Sequence, residues 1–144
     1  MTKEMIQQLS DILTEKSIRA LAQDGETVKL GWDLAFGEAV PEDKRQEVFY
    51  GQFRWHLFSY GLLEAKSGDE ARAALNEKQS QRLQLFWQED DAAWEMRSAF
   101  DLDADTVDKI AAATGKDLYV FDDEGGWTYA LTHEEACGPY FFQW

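Results

Sequence analysis

The sequence predicts an α+β fold: a single compact domain over residues 1–144, with a mixed sheet of about four strands ending in a C-terminal β-hairpin and a helix-rich N-terminal third. The hairpin is predicted because residues 118–121 are apolar on both faces, 122–126 form a charged turn with two glycines, and 127–132 alternate large and small side chains. The N-terminal third instead carries apolar residues at helical spacing. With 144 residues, 14% of them aromatic, the chain can bury a core, and its single cysteine cannot form an internal disulfide.

The N-terminal third predicts three helices, because apolar residues recur every three or four positions behind residues that suit a helix N-terminus. The predicted helices are 2–16, capped by Thr2; 27–37, capped by Thr27 and ended by Gly37; and 42–50, opened by Pro41. Residues 17–23 either extend the first helix or form a short edge strand, and their pattern fits both.

The middle of the chain predicts a strand, a helix and a second strand. Residues 53–60 alternate Phe53, Trp55 and Leu57 with more polar neighbours, which indicates a strand. Ser67-Gly68-Asp69-Glu70 matches a capping box at the start of a helix, and residues 83–88 have strand periodicity. A helix between two strands is a crossover connection, right-handed if the strands are parallel neighbours.

Two more helices are expected before the hairpin, and the tail at 138–142 is expected to pack back across the sheet. The helices are a short one begun by Asp90 or Asp91, which carries Trp94 and Met96 toward Phe100, and one capped by Asp105 and ended by Gly115.

The charge of the chain favours a basic protein as its partner. The net charge is −14, and residues 89–124 alone hold 12 acidic side chains against 3 basic ones. This field repels nucleic acid and anionic membranes and attracts basic proteins, although acidity can also serve solubility alone. The residues predicted to bind the partner are Asp90, Asp91, Trp94, Asp101 and Asp103.

The sequence also predicts the cellular compartment of the protein. Residues 1–25 lack the uninterrupted apolar run of a signal peptide, and no segment approaches the length of a membrane span. We therefore expect a cytoplasmic protein with no membrane partner. The oligomeric state is left open.

Four residues form the candidate reactive site: His56, His133, Glu134 and Cys137. His133 and Cys137 are four positions apart and would share a helical face, so with His56 and Glu134 they could bind zinc, or Cys137 could act as a nucleophile with a histidine as its base. Neither pattern carries the paired ligands of a zinc site or the signature of a cysteine hydrolase, so no metal and no cofactor are predicted. An alternative is that Thr132 caps a helical turn and His133 makes a local hydrogen bond.

A calcium loop is also excluded by the sequence. Asp101, Asp103 and Asp105 have the spacing of its opening residues, but Thr106 stands where glycine is needed and Ala112 where glutamate is needed. These acids are better explained as capping and solvated residues.

Two aromatic-rich blocks resemble a bacterial family of small uncharacterised proteins, the domain of unknown function 4275. The first block is Trp55-His56-Leu57-Phe58-Ser59-Tyr60, preceded by Trp32 and Phe36, and residues 86–91 add to it. The second runs through Trp127-Thr128-Tyr129, Thr132-His133-Glu134 and Gly138-Pro139-Tyr140-Phe141. The resemblance implies a bacterial origin and one compact domain, and it implies no catalytic residue. It singles out a set of positions to compare: Trp55, His56, Tyr60, Trp127, Tyr129, His133, Glu134 and Tyr140.

Three functions follow from these observations. The first is a non-enzymatic protein that occludes a basic partner, most concretely an immunity-like protein of a bacterial toxin system. The second is an enzyme, which requires that His56 and His133 converge although 77 positions separate them. The third is an inhibitor whose carboxylates mimic the phosphates of nucleic acid.

Overall fold

The computed structural model describes residues 1–49 and 53–144. In chain order its elements are α1 (Lys3–Glu15), β1 (Arg19–Asp24), α2 (Gly25–Trp32) with a π-helical extension (Asp33–Gly37), α3 (Glu42–Phe49), α4 (His56–Ser59), β2 (Lys66–Ser67), α5 (Gly68–Asn76), β3 (Arg82–Trp87), β4 (Ala92–Arg97), α6 (Ala104–Thr114), β5 (Leu118–Asp122), β6 (Trp127–Leu131) and β7 (Tyr140–Gln143). The strands form one seven-stranded sheet in the order β1-β4-β3-β5-β6-β7-β2, with every pairing antiparallel. The α+β class is confirmed, while the predicted count of about four strands was too low and the sheet is not mixed.

Helices cover both faces of the sheet, because its central strands are apolar on both sides. In β5, Leu118 and Val120 face a core formed with α1, α5 and α6. Tyr119 and Phe121 face a second core, which is formed with α2 and its π-helical extension, α3 and α4. The second core is the more aromatic one, and the candidate site lies at its margin.

The first residues are organised as the sequence predicted, with one open question settled and one cap reassigned. Thr2 caps α1, since its side chain accepts a hydrogen bond from the amide of Met5. Residues 17–23 do not extend that helix, because β1 pairs with β4 as an edge strand. Asp24, and not Thr27, caps α2: its carboxylate accepts hydrogen bonds from the Thr27 amide at 3.1 Å and the Thr27 hydroxyl at 2.6 Å.

The strand predicted for residues 53–60 is wrong, because this segment contains the short helix α4. Trp55, Leu57 and Phe58 are all buried in the second core, which alternation along a strand would not allow for both Leu57 and Phe58. Here packing against the sheet overrides the strand preference of aromatic residues. The crossover connection predicted from this strand is therefore absent.

The short helix predicted after Asp90 is also wrong, since residues 92–97 form β4. This segment is paired on both sides, with β1 and β3, so its backbone hydrogen bonds favour an extended chain. Trp94 and Met96 pack toward the first core and Ala93 toward the second, which is the alternation of a strand. The Asp90 carboxylate accepts a hydrogen bond from the Ala92 amide within the β3–β4 turn.

The remaining helices and strands largely follow the sequence. The predicted strand at 83–88, the terminal hairpin and the return of the tail across the sheet correspond to β3, β5–β6 and β7. Asp103 caps α6 in place of Asp105, while Gly115 ends the helix as predicted. The helix at 42–50 corresponds to α3, and its last predicted residue, Tyr50, lies outside the described residues. Within those residues, no helix is long and apolar enough to cross a membrane.

Candidate functional site

The segment from Phe53 to Tyr60 and the C-terminal third of the chain meet in a row of stacked and tilted rings beside α4. His56 stacks on Tyr60 with ring centroids 4.4 Å apart and planes within 8°. Trp55 lies 4.2 Å from His56 and 5.8 Å from His133 between ring centroids, and Phe53 lies 4.9 Å from His133. The two histidines therefore do converge, since both rings contact the same buried indole. We call this group, with the carboxylates described next, the aromatic–carboxylate patch: Phe53, Trp55, His56, Tyr60, Asp117, His133 and Glu134.

Asp117 joins the two halves of the patch. Its carboxylate accepts a hydrogen bond from Trp55 Nε1 at 3.0 Å and one from the backbone amide of His133, also at 3.0 Å. His133 Nδ1 lies 2.9 Å from both carboxylate oxygens. An ionised carboxylate can only accept, so Nδ1 carries the proton and Nε2 is left toward Glu134, whose carboxylate is 3.6 Å away. Asp117 thus fixes both the position and the tautomer of His133.

The backbone conformation of Asp117 suits this role. Asp117 has a φ of 60°, a left-handed conformation that aspartate tolerates better than most residues. The tight bend places its carbonyl where it accepts a hydrogen bond from the Gln88 amide at 2.8 Å and turns its side chain toward Trp55. The side chain of Asp117 is 13% exposed.

A second hydrogen-bond network supports the base of the patch. The Tyr119 hydroxyl donates to Gln88 Oε1 at 2.7 Å and accepts from the Trp55 amide at 3.1 Å. Arg54 donates its amide to the same Gln88 oxygen and forms a two-point ion pair with Asp33. Burial raises the pKa of the Tyr119 hydroxyl well above its ordinary value, so it stays protonated. The segment that carries Phe53, Trp55 and His56 is therefore held in place by β5, by Gln88 and by the π-helical extension of α2.

The charge state of His56 follows from its surroundings. Partial burial lowers the pKa of His56, the carboxylates of Glu134 and Asp117 oppose this shift, and the neighbouring His133 imidazole acts in the same direction as burial. His56 Nδ1 is 2.8 Å from the Ser59 hydroxyl. At neutral pH His56 is accordingly a neutral ring stacked on Tyr60.

Cys137 lies beside the patch, in the turn that leads into β7. It lines a groove of about 200 Å³ together with Lys116, Glu134 and Glu135. Burial and the neighbouring Cys137 thiol, which shares a hydrogen bond with it, raise the pKa of Tyr140. The alternative interpretation of this segment is wrong, because residues 132–137 are not helical, the Thr132 hydroxyl donates to backbone carbonyls where an N-cap would accept from amides, and His133 bonds the distant Asp117. Among residues 1–49 and 53–144, no group of three or more histidine, cysteine or acidic side chains is arranged to hold a metal ion.

The residues predicted to bind a partner do not form one patch. Asp90 and Asp91 precede β4 and Asp101 and Asp103 follow it, so roughly 20 Å of strand separates the two pairs. Asp90 is occupied by the N-terminal ammonium group at 3.0 Å, and Asp103 by capping α6. Trp94 packs partly buried against the first core. A role of these side chains in binding stays a prediction, and their spread gives no support to a phosphate-like strip.

The positions that the family resemblance singled out are divided by the sheet. Trp55 and Tyr140 lie in the second core with ring centroids 6.4 Å apart. Trp127 and Tyr129 lie in the first core, on the opposite face. Sequence reasoning missed Asp117 and Phe53 as site residues, and the one available signal for Asp117 was its place between Gly115 and a buried strand.

Comparison with known proteins identifies the family and nothing closer. No curated protein and no solved structure matches the chain. The model of one family, described as a domain of unknown function (DUF4275), matches residues 6–141, which include both aromatic-rich blocks and the whole aromatic–carboxylate patch. The chain therefore belongs to the DUF4275 family.

Proposed function

We propose that this protein binds a basic protein partner non-enzymatically, and that the aromatic–carboxylate patch receives an arginine or lysine side chain of that partner. The observation that carries the proposal is the juxtaposition of partly exposed aromatic and imidazole side chains with carboxylates. Tyr60 is 53% exposed and stacks on His56, while His133 and Glu134 have side chains 42% and 53% exposed. Aromatic residues placed on a rigid base are the usual anchors of protein interfaces.

The chemistry of the patch favours a cation over other ligands. A guanidinium group can lie over an aromatic face and at the same time pair with a carboxylate, and Glu134 supplies such a carboxylate next to the rings. The lowered pKa of His56 supports this, because a neutral imidazole adds a ring face without a repelling charge. A net charge of −14 would speed the approach of a basic partner.

The free energies of these contacts indicate what kind of partner could bind tightly. One cation–π contact contributes about 0.5–2 kcal/mol and one charge-assisted hydrogen bond about 1.5–3 kcal/mol. Together they correspond to roughly millimolar affinity for a single side chain, so tight binding requires a partner with several basic groups. An immunity-like protein that covers a basic toxin fits this requirement, and it is the most concrete form of the proposal.

The test is a titration with a fluorescent oligoarginine peptide, followed by anisotropy at moderate salt. Combining Tyr60→Ala with Glu134→Gln should weaken binding about fivefold or more, which corresponds to about 1 kcal/mol. The matched control combines Phe100→Ala with Glu4→Gln, which removes a similarly exposed aromatic ring and one exposed carboxylate outside the patch. Equal losses in both double variants would mean that arginine peptides bind the acidic surface at large, and the proposed site would be wrong.

The immunity-like role is tested with the proteins that neighbouring genes encode. Basic proteins encoded next to this chain are purified and titrated by calorimetry against the wild type and the two double variants. We expect one of them to bind and the patch variant to bind it less tightly than the control does. Binding that is lost equally in both variants would contradict a role for the patch.

A second candidate function rests on the Asp117–His133 pair, whose geometry is that of an oriented general base. The carboxylate holds Nδ1 and leaves Nε2 available to take a proton. If this pair acts as a base, the protein hydrolyses p-nitrophenyl acetate faster than free imidazole does at the same concentration, and Asp117→Asn lowers that rate at least about tenfold. A rate equal to that of free imidazole would remove this candidate.

A further inference from the structure

Strand β1 forms an open edge of the sheet. It pairs with β4 on one side, and it is the first strand in the order of the sheet, so no described segment pairs with its other side. All six of its residues, Arg19–Asp24, are exposed. An edge strand of this length offers a row of backbone donors and acceptors to another strand.

This edge lacks the features that usually prevent strands from pairing. Its register with β4 is continuous from Arg19 to Asp24, so no bulge twists it away, and it contains no proline. Charged residues stand only at its two ends, and the four residues between them are Ala-Leu-Ala-Gln. The opposite edge is different, since β2 has only two residues, Lys66–Ser67. The two edges are thus unequal, and only β1 is long enough to hold another chain.

We propose that the protein forms a homodimer by antiparallel pairing of β1 with β1 of a second copy, about a twofold axis that passes beside Leu21. Symmetry restricts the register. A twofold axis normal to the sheet keeps each face of the sheet on its own side, so residues that pair across it must belong to the same face. A residue must therefore face its own counterpart, and the two registers that pair most of β1 are centred on Leu21 and on Ala22.

The register centred on Leu21 is the complementary one. Leu21, which is 41% exposed in one chain, then packs against the Leu21 of the second copy. Ala20 faces Ala22, and Arg19 faces Gln23. No like charges are opposed. The register centred on Ala22 would instead place Leu21 opposite Gln23 and Ala20 opposite Asp24.

The same pairing explains why association should stop at two copies. Once β1 is covered, the edge that remains in the described sheet is β2, whose two residues are too few to hold another strand. The pairing is also independent of the aromatic–carboxylate patch, which lies at the β5–β6 end of the second core. The dimer would present two such patches.

The first test is the molar mass in solution, measured by light scattering during size-exclusion chromatography at micromolar concentrations. The wild type should have twice the chain mass of 16.6 kDa. Leu21→Lys opposes two ammonium groups across the axis and should give the monomer mass. Leu30→Lys, at a leucine 57% exposed on α2, makes the same change outside the paired strand and should leave the dimer intact. A monomeric wild type, or a Leu21→Lys variant that remains dimeric, would overturn the proposal.

Salt provides an independent readout. Each copy carries a net charge of −14, so long-range repulsion opposes association, and added salt should tighten the dimer. Binding of a basic peptide should weaken under the same conditions. Failure of the dimer would therefore leave the proposed function standing, and the two proposals are tested separately. A dimer that dissociates as salt rises would contradict pairing through the apolar centre of β1.

Cross-linking tests the register. In a Cys137→Ala background, Leu21→Cys places two thiols opposite each other with Cα atoms about 4.5–5.5 Å apart, within the range of a disulfide. Mild oxidation should give a covalent dimer, and Ala22→Cys should give much less. Circular dichroism and the thermal midpoint of each variant show whether it is folded. A covalent dimer from Ala22→Cys alone, or from neither variant, would overturn the stated pairing.

Discussion

Replacement of Asp117 by alanine should destabilise the protein by about 3 kcal/mol, because the carboxylate holds three groups at once. Trp55 is fully buried, and its Nε1–H would lose its acceptor, which costs about 1–3 kcal/mol for a buried donor. The His133 amide is exposed and can bond water instead. The left-handed backbone at this position adds about 1 kcal/mol for alanine. For a chain of this length, the total lowers the thermal midpoint by roughly 10 °C.

Two further substitutions separate these contributions, measured by denaturant unfolding with tryptophan fluorescence. Asp117→Asn keeps an acceptor for Trp55 and tolerates the left-handed backbone, so it should cost about 1 kcal/mol. Asp117→Gly relieves the backbone but removes the acceptor, and it should lie between the asparagine and alanine variants. An alanine variant within about 0.5 kcal/mol of the wild type would refute the view that Asp117 joins the two halves of the patch.

Further predictions concern Gly25 and His56. A Cβ on Gly25 would lie 2.0 Å from the carbonyl oxygen of Asp91, so Gly25→Ala should lower the free energy of unfolding by about 3 kcal/mol or more. Gly31 has open space around it, so Gly31→Ala should stabilise α2 by about 0.5–1 kcal/mol. Denaturant unfolding measures both changes. Equal stabilities of these two variants would contradict the close approach of α2 to the β3–β4 turn. The pKa of His56 is lowered from 6.5 in the folded state, so its neutral form contributes stability that is complete above pH 6.5 and lost as the pH falls through the lower folded value. His56→Asn should therefore lose less stability on acidification than the wild type, as urea unfolding across this pH range would show.

Periodicity predicted those parts of the fold in which burial follows a simple pattern. The terminal hairpin is the clearest case, because Leu118 and Val120 face one core while Tyr119 and Phe121 face the other. The sequence did not decide between helix and strand for β1, because every one of its residues is exposed and neither face is marked by apolar side chains. Strand β4 was mistaken for a helix because Asp90 resembles an N-cap, and its pairing with β3 and β1 depends on residues distant in sequence.

The candidate site was predicted only in part, for a related reason. The sequence identified His56, His133 and Glu134 as residues worth comparing, and the structure brings them together around Trp55. Their convergence depends on Asp117, which in the sequence is one of 28 acidic residues. Its role arises from a left-handed backbone and from a contact with Trp55 across 62 positions. Neither feature has a local pattern in the sequence.

The most direct test of the proposed function is a magnetic resonance titration of the protein with an unlabelled oligoarginine peptide, observing the histidine ring and backbone amide signals. The proposal predicts that the largest shifts occur at His56, His133 and the amides of Tyr60 and Glu134, and that they follow one binding curve. Shifts confined to the segment from Asp90 to Asp103, with both imidazole signals unmoved, would contradict it.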